Sequence, residues 1–490
     1  MRLQVRNKLL ELLPTIMDGI EYVKKADVKN ALPITEDCLL AFHSIRETLN
    51  KSLSEGRFQY YNEIITKIEQ IFDEMIIDIS EGRQFIESAQ SINNILYSLN
   101  QSLQEESEVK LEILFLPYKS SMWDSLESIW LAAKDDPSCD CYVMPIPYYD
   151  RDDHGKLAKF HYEGEQFPNY VPITSYQKYD IAKRRPDIIY FHNPYDGYNY
   201  VTSVAPEYYS NFLKQYTDML VYVPYFIAGA YRNAKDAASK CLAEGVLNAS
   251  RIIVQSEVLK DIYIQNGIDP EKVIALGSPK IDAILNYDKY SELPIEWKQK
   301  INGKKVVLLN SSIGRLLNEP NYMIDLEKNI KTILNNKEIV LLWRPHPLLE
   351  ATIKSMRIDH YEAYMKLKNH VLRSDNGILD ESNDTNCAII ASDGMISDGS
   401  SLIRTYIMSG KPVLVMESSR KLKRHLLLSC DIYSCYFNND GDTIEDFLEM
   451  VIHNSDPMRD KRIADFKNSI INTDGNCGLQ VHSYILNELL

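Results

Sequence analysis

The 490-residue chain carries 54 lysines and arginines against 69 aspartates and glutamates, a net charge of −15. So acidic a chain offers no broad positive field for a nucleic-acid backbone and little attraction to an anionic membrane surface. Its 45% hydrophobic content is ordinary for a soluble globular protein, and its length allows two or three domains.

Residues 1–108 contain only two prolines, Pro14 and Pro33, and apolar residues at helical spacing, as in Tyr60–Phe72. This predicts a helical N-terminal domain of three or four amphipathic helices in an antiparallel bundle. Its simplest role is a cap or dimer arm, the sharper alternative an acceptor- or membrane-docking module. The N-terminal stretch lacks the apolar core and cleavage site of a signal peptide, and no apolar run reaches the roughly 18 residues of a membrane span.

At Leu111 the pattern changes. Strands are expected at 111–118, 141–150, 187–191, 219–226, 251–256 and 273–279, with helices over 120–136 and near 174–184. Strands alternating with helices predict a parallel, doubly wound sheet over residues 109–285. A second α/β domain, 286–490, is expected to place strands at 305–312, 338–347, near 371–375, at 388–392 and at 412–416. The expected architecture is therefore α/β: two Rossmann-like domains of GT-B type, preceded by an α-helical region. The eight cysteines include no CxxC pair and no Cys/His cluster at zinc spacing, so buried reduced thiols are expected. Lys421–His425 forms a local basic patch, read first as a solvated helix face.

Ligands in open α/β sheets bind beyond the carboxyl ends of the strands. Several polar groups fall there: His192 and Asn193, Ser278, Ser311 and Ser312, Arg344 and His346, and the turn Ser397-Asp398-Gly399-Ser400-Ser401. The turn precedes a helix-period segment, and N–H groups at a helix start can hold a phosphate. In Trp343-Arg-Pro-His-Pro347 two prolines stiffen the strand exit, Arg344 offers a forked cationic grip, and His346 can donate to an anion or act as an acid. The plainer readings are a structural turn and an ordinary Ser-capped helix.

Five motifs in order resemble the CDP-glycerol glycerophosphotransferase family, whose members build teichoic acids and related polymers. They are Gly277-Ser-Pro-Lys-Ile-Asp282, Arg344-Pro-His-Pro347, Ser392-Asp393 with Ile396-Ser-Asp-Gly-Ser-Ser401, Lys411-Pro412, and Asp474-Gly475. The resemblance covers about residues 250–490 and implies a GT-B fold and CDP-glycerol as donor. It implies that His346, Ser400 and Ser401 contact the nucleotide's phosphates, and that Arg315 stands for an arginine following Asn310-Ser311-Ser312. The chain departs from the pattern in one place. Where the family carries H-G-T-P-L-K with the histidine taken as general base, this chain has Val221-Tyr-Val-Pro-Tyr-Phe-Ile-Ala228.

A substitute base is sought in Phe191-His-Asn-Pro-Tyr-Asp-Gly-Tyr-Asn199, with His192 taking the acceptor proton and Asp196 orienting it or acting itself. The plain alternative is a loop with packed tyrosines. The expected reaction moves glycerol phosphate, or a related polyol phosphate, from a CDP-activated donor to a hydroxyl acceptor in cell-wall or capsule synthesis. The acceptor is a glycan or polyol phosphate, which could be lipid-linked. The donor-side residues are Ser278, Ser311, Ser312, Arg315, Arg344, His346, Ser397, Asp398, Gly399, Ser400 and Ser401, with His192, Asp196 and His346 catalytic. No metal or further cofactor and no nucleic-acid partner are expected. The expected location is cytoplasmic, with peripheral attachment to the inner membrane face and self-association through the N-terminal helices left open. Two rivals stand beside this reading: a glycosyltransferase or epimerase using a UDP- or GDP-sugar, and a non-catalytic scaffold of envelope assembly.

Overall fold

A computed structural model of the chain describes residues 1–152, 154–199, 201–228, 234–286, 293–400, 402–417 and 434–489. The basic segment Lys421–His425, Cys430 and Ser401 lie outside these residues. The chain divides into two compact units. One comprises Met1–Ile113, Lys134–Cys141 and Arg185–Ile188, and the other Leu114–Ala133, Tyr142–Arg184 and Ile189–Leu490.

The first unit contains four long helices, α1 (Leu3–Val23), α2 (Val28–Ser52), α3 (Glu55–Ser80) and α4 (Ile86–Gln104). The buried positions of α3 are Tyr61, Ile65, Ile68, Phe72, Met75 and Ile79. Those of α2 are Ala31, Thr35, Cys38, Phe42, Ile45 and Leu49. Both alternate steps of four and three, the spacing that keeps one seam of a helix facing its partner. Short connections turn each helix back on the last, and α1 meets both α2 and α4, closing a four-helix bundle. The Asp27 and Ser54 side chains cap α2 and α3. One buried carboxylate, Glu106, is held by Arg57 at 2.8 Å and the Tyr61 hydroxyl at 2.7 Å.

Among the described residues fifteen strands follow: β1 (Leu111–Leu116), β2 (Cys139–Val143), β3 (Tyr148–Arg151), β4 (Leu157–His161), β5 (Ile188–Phe191), β6 (Thr202–Val204), β7 (Met219–Tyr222), β8 (Arg251–Val254), β9 (Val273–Ala275), β10 (Lys305–Ser311), β11 (Ile339–Pro345), β12 (Gly377–Leu379), β13 (Gly394–Ser397), β14 (Val413–Val415) and β15 (Tyr436–Phe437). They form a six-stranded sheet in the order β2-β1-β5-β7-β8-β9, a second in the order β12-β11-β10-β13-β14-β15, and a small sheet β4-β3-β6. The second sheet is parallel throughout.

Its strands are buried on both faces, which is why they read as continuous apolar runs. Val307, Leu309, Leu341, Trp343 and Ile396 pack into one core, and their neighbours Val306, Leu308, Val340, Leu342 and Met395 into the other. The fold is thus the expected α/β architecture of two Rossmann-like sheets with a helical N-terminal region.

Several elements differ from expectation. The run 388–392 is not a strand. It belongs to the helix Thr385–Ala391, whose start is fixed by Asp384 accepting N–H bonds from Asn386 and Cys387. The strand expected near 371–375 is the end of a helix, Tyr361–Arg373, and pairing begins at Gly377. The run 141–150 is cut by two prolines into β2 and β3, which belong to different sheets. The helix expected near 174–184 is reduced to Ile181–Arg184.

The last helix, Cys477–Asn487, starts on the buried side chain of Asp282. Its carboxylate accepts the N–H groups of Cys477 at 3.2 Å and Gly478 at 2.7 Å. This gives the Asp282 and Asp474-Gly475 motifs a structural function, because the glycine backbone also accepts a bond from Asn286 at 2.9 Å.

Candidate active site

The carboxyl edge of the second sheet gathers most of the expected donor residues. Asn310 stands beside Arg344 on one side and Ser397 on the other, and Ser311 beside Pro345. Adjacent strands lie about 4.8 Å apart, so the loops leaving β10, β11 and β13 open side by side. The His346 N–H donates to the Ser311 carbonyl at 2.9 Å, stitching two of these exits together.

His346 is exposed on this edge. Its Nδ1 accepts the N–H of Leu348 at 3.1 Å. A neutral imidazole with Nδ1 as acceptor carries its proton on Nε2, so His346 offers an N–H donor outward. Partial desolvation lowers its pKa below the ordinary 6.5 and favours this neutral form.

Around it stands a rigid support. Asp398 is buried, accepting the Ser312 N–H at 2.7 Å and the Arg315 guanidinium at 3.1 Å. Burial raises the Asp398 pKa while Ser312 and Arg315 act against that rise. Ser397 is fully buried; its hydroxyl donates to the Asp398 carbonyl and accepts from Asn310 Nδ2, both at 2.8 Å. The Ser311 hydroxyl accepts from the Trp343 indole N–H at 2.8 Å.

These contacts correct the expected roles. The Arg344 side chain is only 9% exposed and is occupied by Asp380, Ser382 and Thr385, so it fastens the 380–385 loop instead of gripping phosphate. Arg315 is paired with Glu319 and Asp398 and holds the turn from below. Ser311, Ser397 and Asp398 are likewise buried supports. The helix Leu402–Ile407 has six residues, too short for a substantial dipole. The Ser400 N–H is taken by the Asp398 carbonyl and the Ser400 hydroxyl accepts the Leu402 N–H at 3.1 Å. Ser278 lies elsewhere, beyond β9 at the start of Pro279–Leu285, where it lines a small pocket together with Gln255 and Phe226.

One group was missed. Gly399 is exposed, and a Cβ built on it would come within 3.1 Å of the Glu417 carboxylate. The signal was present: Glu417 follows β14 as Ser312 and His346 follow their strands. A carboxylate repels phosphate, so Glu417 suits ligand hydroxyls, leaving the anion to the His346 side.

On the first sheet, His192 is not placed as a base. It is fully buried, its Nε2 accepts the Tyr118 N–H at 3.2 Å, and its Nδ1 meets the Ser125 hydroxyl at 3.0 Å. Both ring nitrogens are thus committed to the fold, and burial lowers the ring's pKa to about 3. Asp196 is also structural, accepting the Ser210 N–H at 3.0 Å and hydroxyl at 2.5 Å. Burial raises its pKa to about 6.

Two Rossmann-like sheets with polar groups gathered at the carboxyl edge of the second give the layout of a GT-B type fold. The family model described as CDP-Glycerol:Poly(glycerophosphate) glycerophosphotransferase matches residues 230–487, more than half of the chain. The chain belongs to this family, and it is an enzyme of the glycerophosphotransferase class.

Among solved structures, the wall teichoic acid polymerase TagF is similar with 12% identity and a TM-score of 0.48, over 86% of this chain and 98% of that one. The UDP-GlcNAc 2-epimerase of Neisseria meningitidis, solved bound to UDP-GlcNAc, is similar with 14% identity and a TM-score of 0.48, over 77% of this chain and all of that one. No curated protein sequence matches the chain. No described helix is long and apolar enough to cross a membrane.

Proposed function

We propose that the enzyme transfers glycerol phosphate from CDP-glycerol to an acceptor hydroxyl in the synthesis of a teichoic-acid-like cell-wall polymer. The acceptor oxygen attacks the glycerol-bearing phosphorus, the bond from that phosphorus to the bridging oxygen breaks, and CMP leaves with the bridging oxygen. The acceptor proton passes to solvent or base, and a phosphodiester forms. His346 carries this reading among the side chains: exposed at the strand edge, with an outward Nε2–H, it stabilises charge on the transferring phosphate. Ser312, Gly399 and Ser400 form the floor, and Glu417 takes hydroxyls of the nucleotide or glycerol. The same proposal places the reaction on the cytoplasmic side of the membrane.

The test is a donor screen that measures nucleotide release with an acceptor present. CMP release from CDP-glycerol is expected. UDP release from a UDP-sugar in its place would overturn the donor assignment, and ligand binding without turnover would favour a scaffold.

A further inference from the structure

The loop after β5 and the loop after β7 leave the same edge of the first sheet, tied by the Val223 N–H donating to the Phe191 carbonyl at 2.9 Å. Beside them lies a cavity of about 690 Å³ lined by Tyr195, Tyr198, Asn199, Tyr225, Leu242 and Glu244, a size usual for small-molecule sites. We propose that this cavity holds the terminal sugar ring of the acceptor, a neutral pyranoside stacked on tyrosine. The proposal rests on the transferase reading above and names the class of its second substrate.

The turn that presents the tyrosines is built at a cost. Asp196 has a left-handed backbone (φ +45°), a conformation side chains seldom adopt, and a buried carboxylate held by Ser210. The Tyr198 N–H closes the turn on the Tyr195 carbonyl at 2.7 Å. The Gly245 N–H donates to the Pro194 carbonyl at 2.9 Å, and a Cβ on Gly245 would lie 2.8 Å from Pro194 Cα. A turn clamped from both sides nevertheless leaves Tyr198 70% exposed. Tyr225 is fixed in turn, packing edge-on to His192 with ring centres 6.0 Å apart.

The chemistry of the walls selects the ligand. A tyrosine ring gives an apolar face to the C–H face of a pyranose, and its hydroxyl meets the sugar's edge. Asn199 both donates to and accepts from hydroxyls, and Glu244 accepts from them. The Glu244 carboxylate repels a phosphate-bearing chain end. Strand ends of an α/β sheet are where such a ligand belongs.

The test uses saturation-transfer NMR on the full chain with methyl β-D-glucopyranoside, glycerol and sn-glycerol 3-phosphate. Thermal shift with CDP-glycerol is run in parallel. The pyranoside is expected to give the strongest signal, and Tyr198→Ala to weaken its binding roughly three- to tenfold. The CDP-glycerol shift should survive that substitution. A stronger signal from glycerol 3-phosphate, or a pyranoside signal unchanged in Tyr198→Ala, overturns the proposal. Absence of a CDP-glycerol shift in the unmodified protein would instead remove the donor assignment, while the pyranoside comparison still decides the cavity.

Discussion

At the scale of single residues, chemistry and support separate cleanly by exposure. The His346 side chain is exposed and accepts one local bond at Nδ1, from the Leu348 N–H, so His346→Ala should leave the melting temperature nearly unchanged. CMP release should fall about 10²- to 10³-fold, the usual loss for one transition-state donor. Since the neutral ring already carries the donor proton, release should stay flat as pH rises from 7 to 9. Asp196 makes a prediction of the opposite kind. Its pKa rises from 3.8 in the unfolded chain to about 6 in the folded one. Its contribution to stability is therefore full below about pH 4 and is lost as pH rises through about 6, by about 3 kcal/mol in all. Melting curves of Asp196→Asn and the unmodified protein should diverge across that window, the variant gaining relative stability toward neutral pH. A difference independent of pH would show that the carboxyl does not titrate there.

At the scale of elements, the α3 seam gives a clear expectation. Phe72 is fully buried against Phe42, ring centres 5.7 Å apart, so Phe72→Ala should cost about 3–5 kcal/mol in denaturant unfolding. The four-three spacing that makes Phe72 central was legible in the sequence, as were the alternating strands of both sheets and the outward place of His346 after β11. Other features were not. The run Ala388–Ser392 is apolar in every position but the last, and periodicity cannot tell a short buried helix from a strand. Asp384, with its two N–H bonds, decides the matter. Likewise Arg344 and His192 have the right chemistry at strand ends, and only three-dimensional neighbours reveal that both are already occupied. Glu417 escaped notice because a carboxylate is not looked for in an anion site.

At the scale of the whole molecule, the proposed reaction would divide between the two sheets, with the imidazole edge of the second for the donor and the tyrosine cavity of the first for the acceptor. They are joined by more than the chain, since Asn386 donates to Asp124 at 3.3 Å and Asn383 to Gln166 at 2.9 Å. The final helix adds a further tie through Asp282. Asp282→Ala would leave two buried N–H groups unpaired and should lower stability by about 2–4 kcal/mol, read as an earlier unfolding midpoint in urea. The same tie has a consequence for the order of events at the ribosome. The N–H groups that satisfy Asp282 come from Cys477 and Gly478, 195 and 196 residues further along the chain. A domain usually folds as soon as it emerges. Here the Asp282 carboxylate, made with the earlier sheet, keeps its water until Cys477 and Gly478 have followed it out, so the two ends of this tie lock together late.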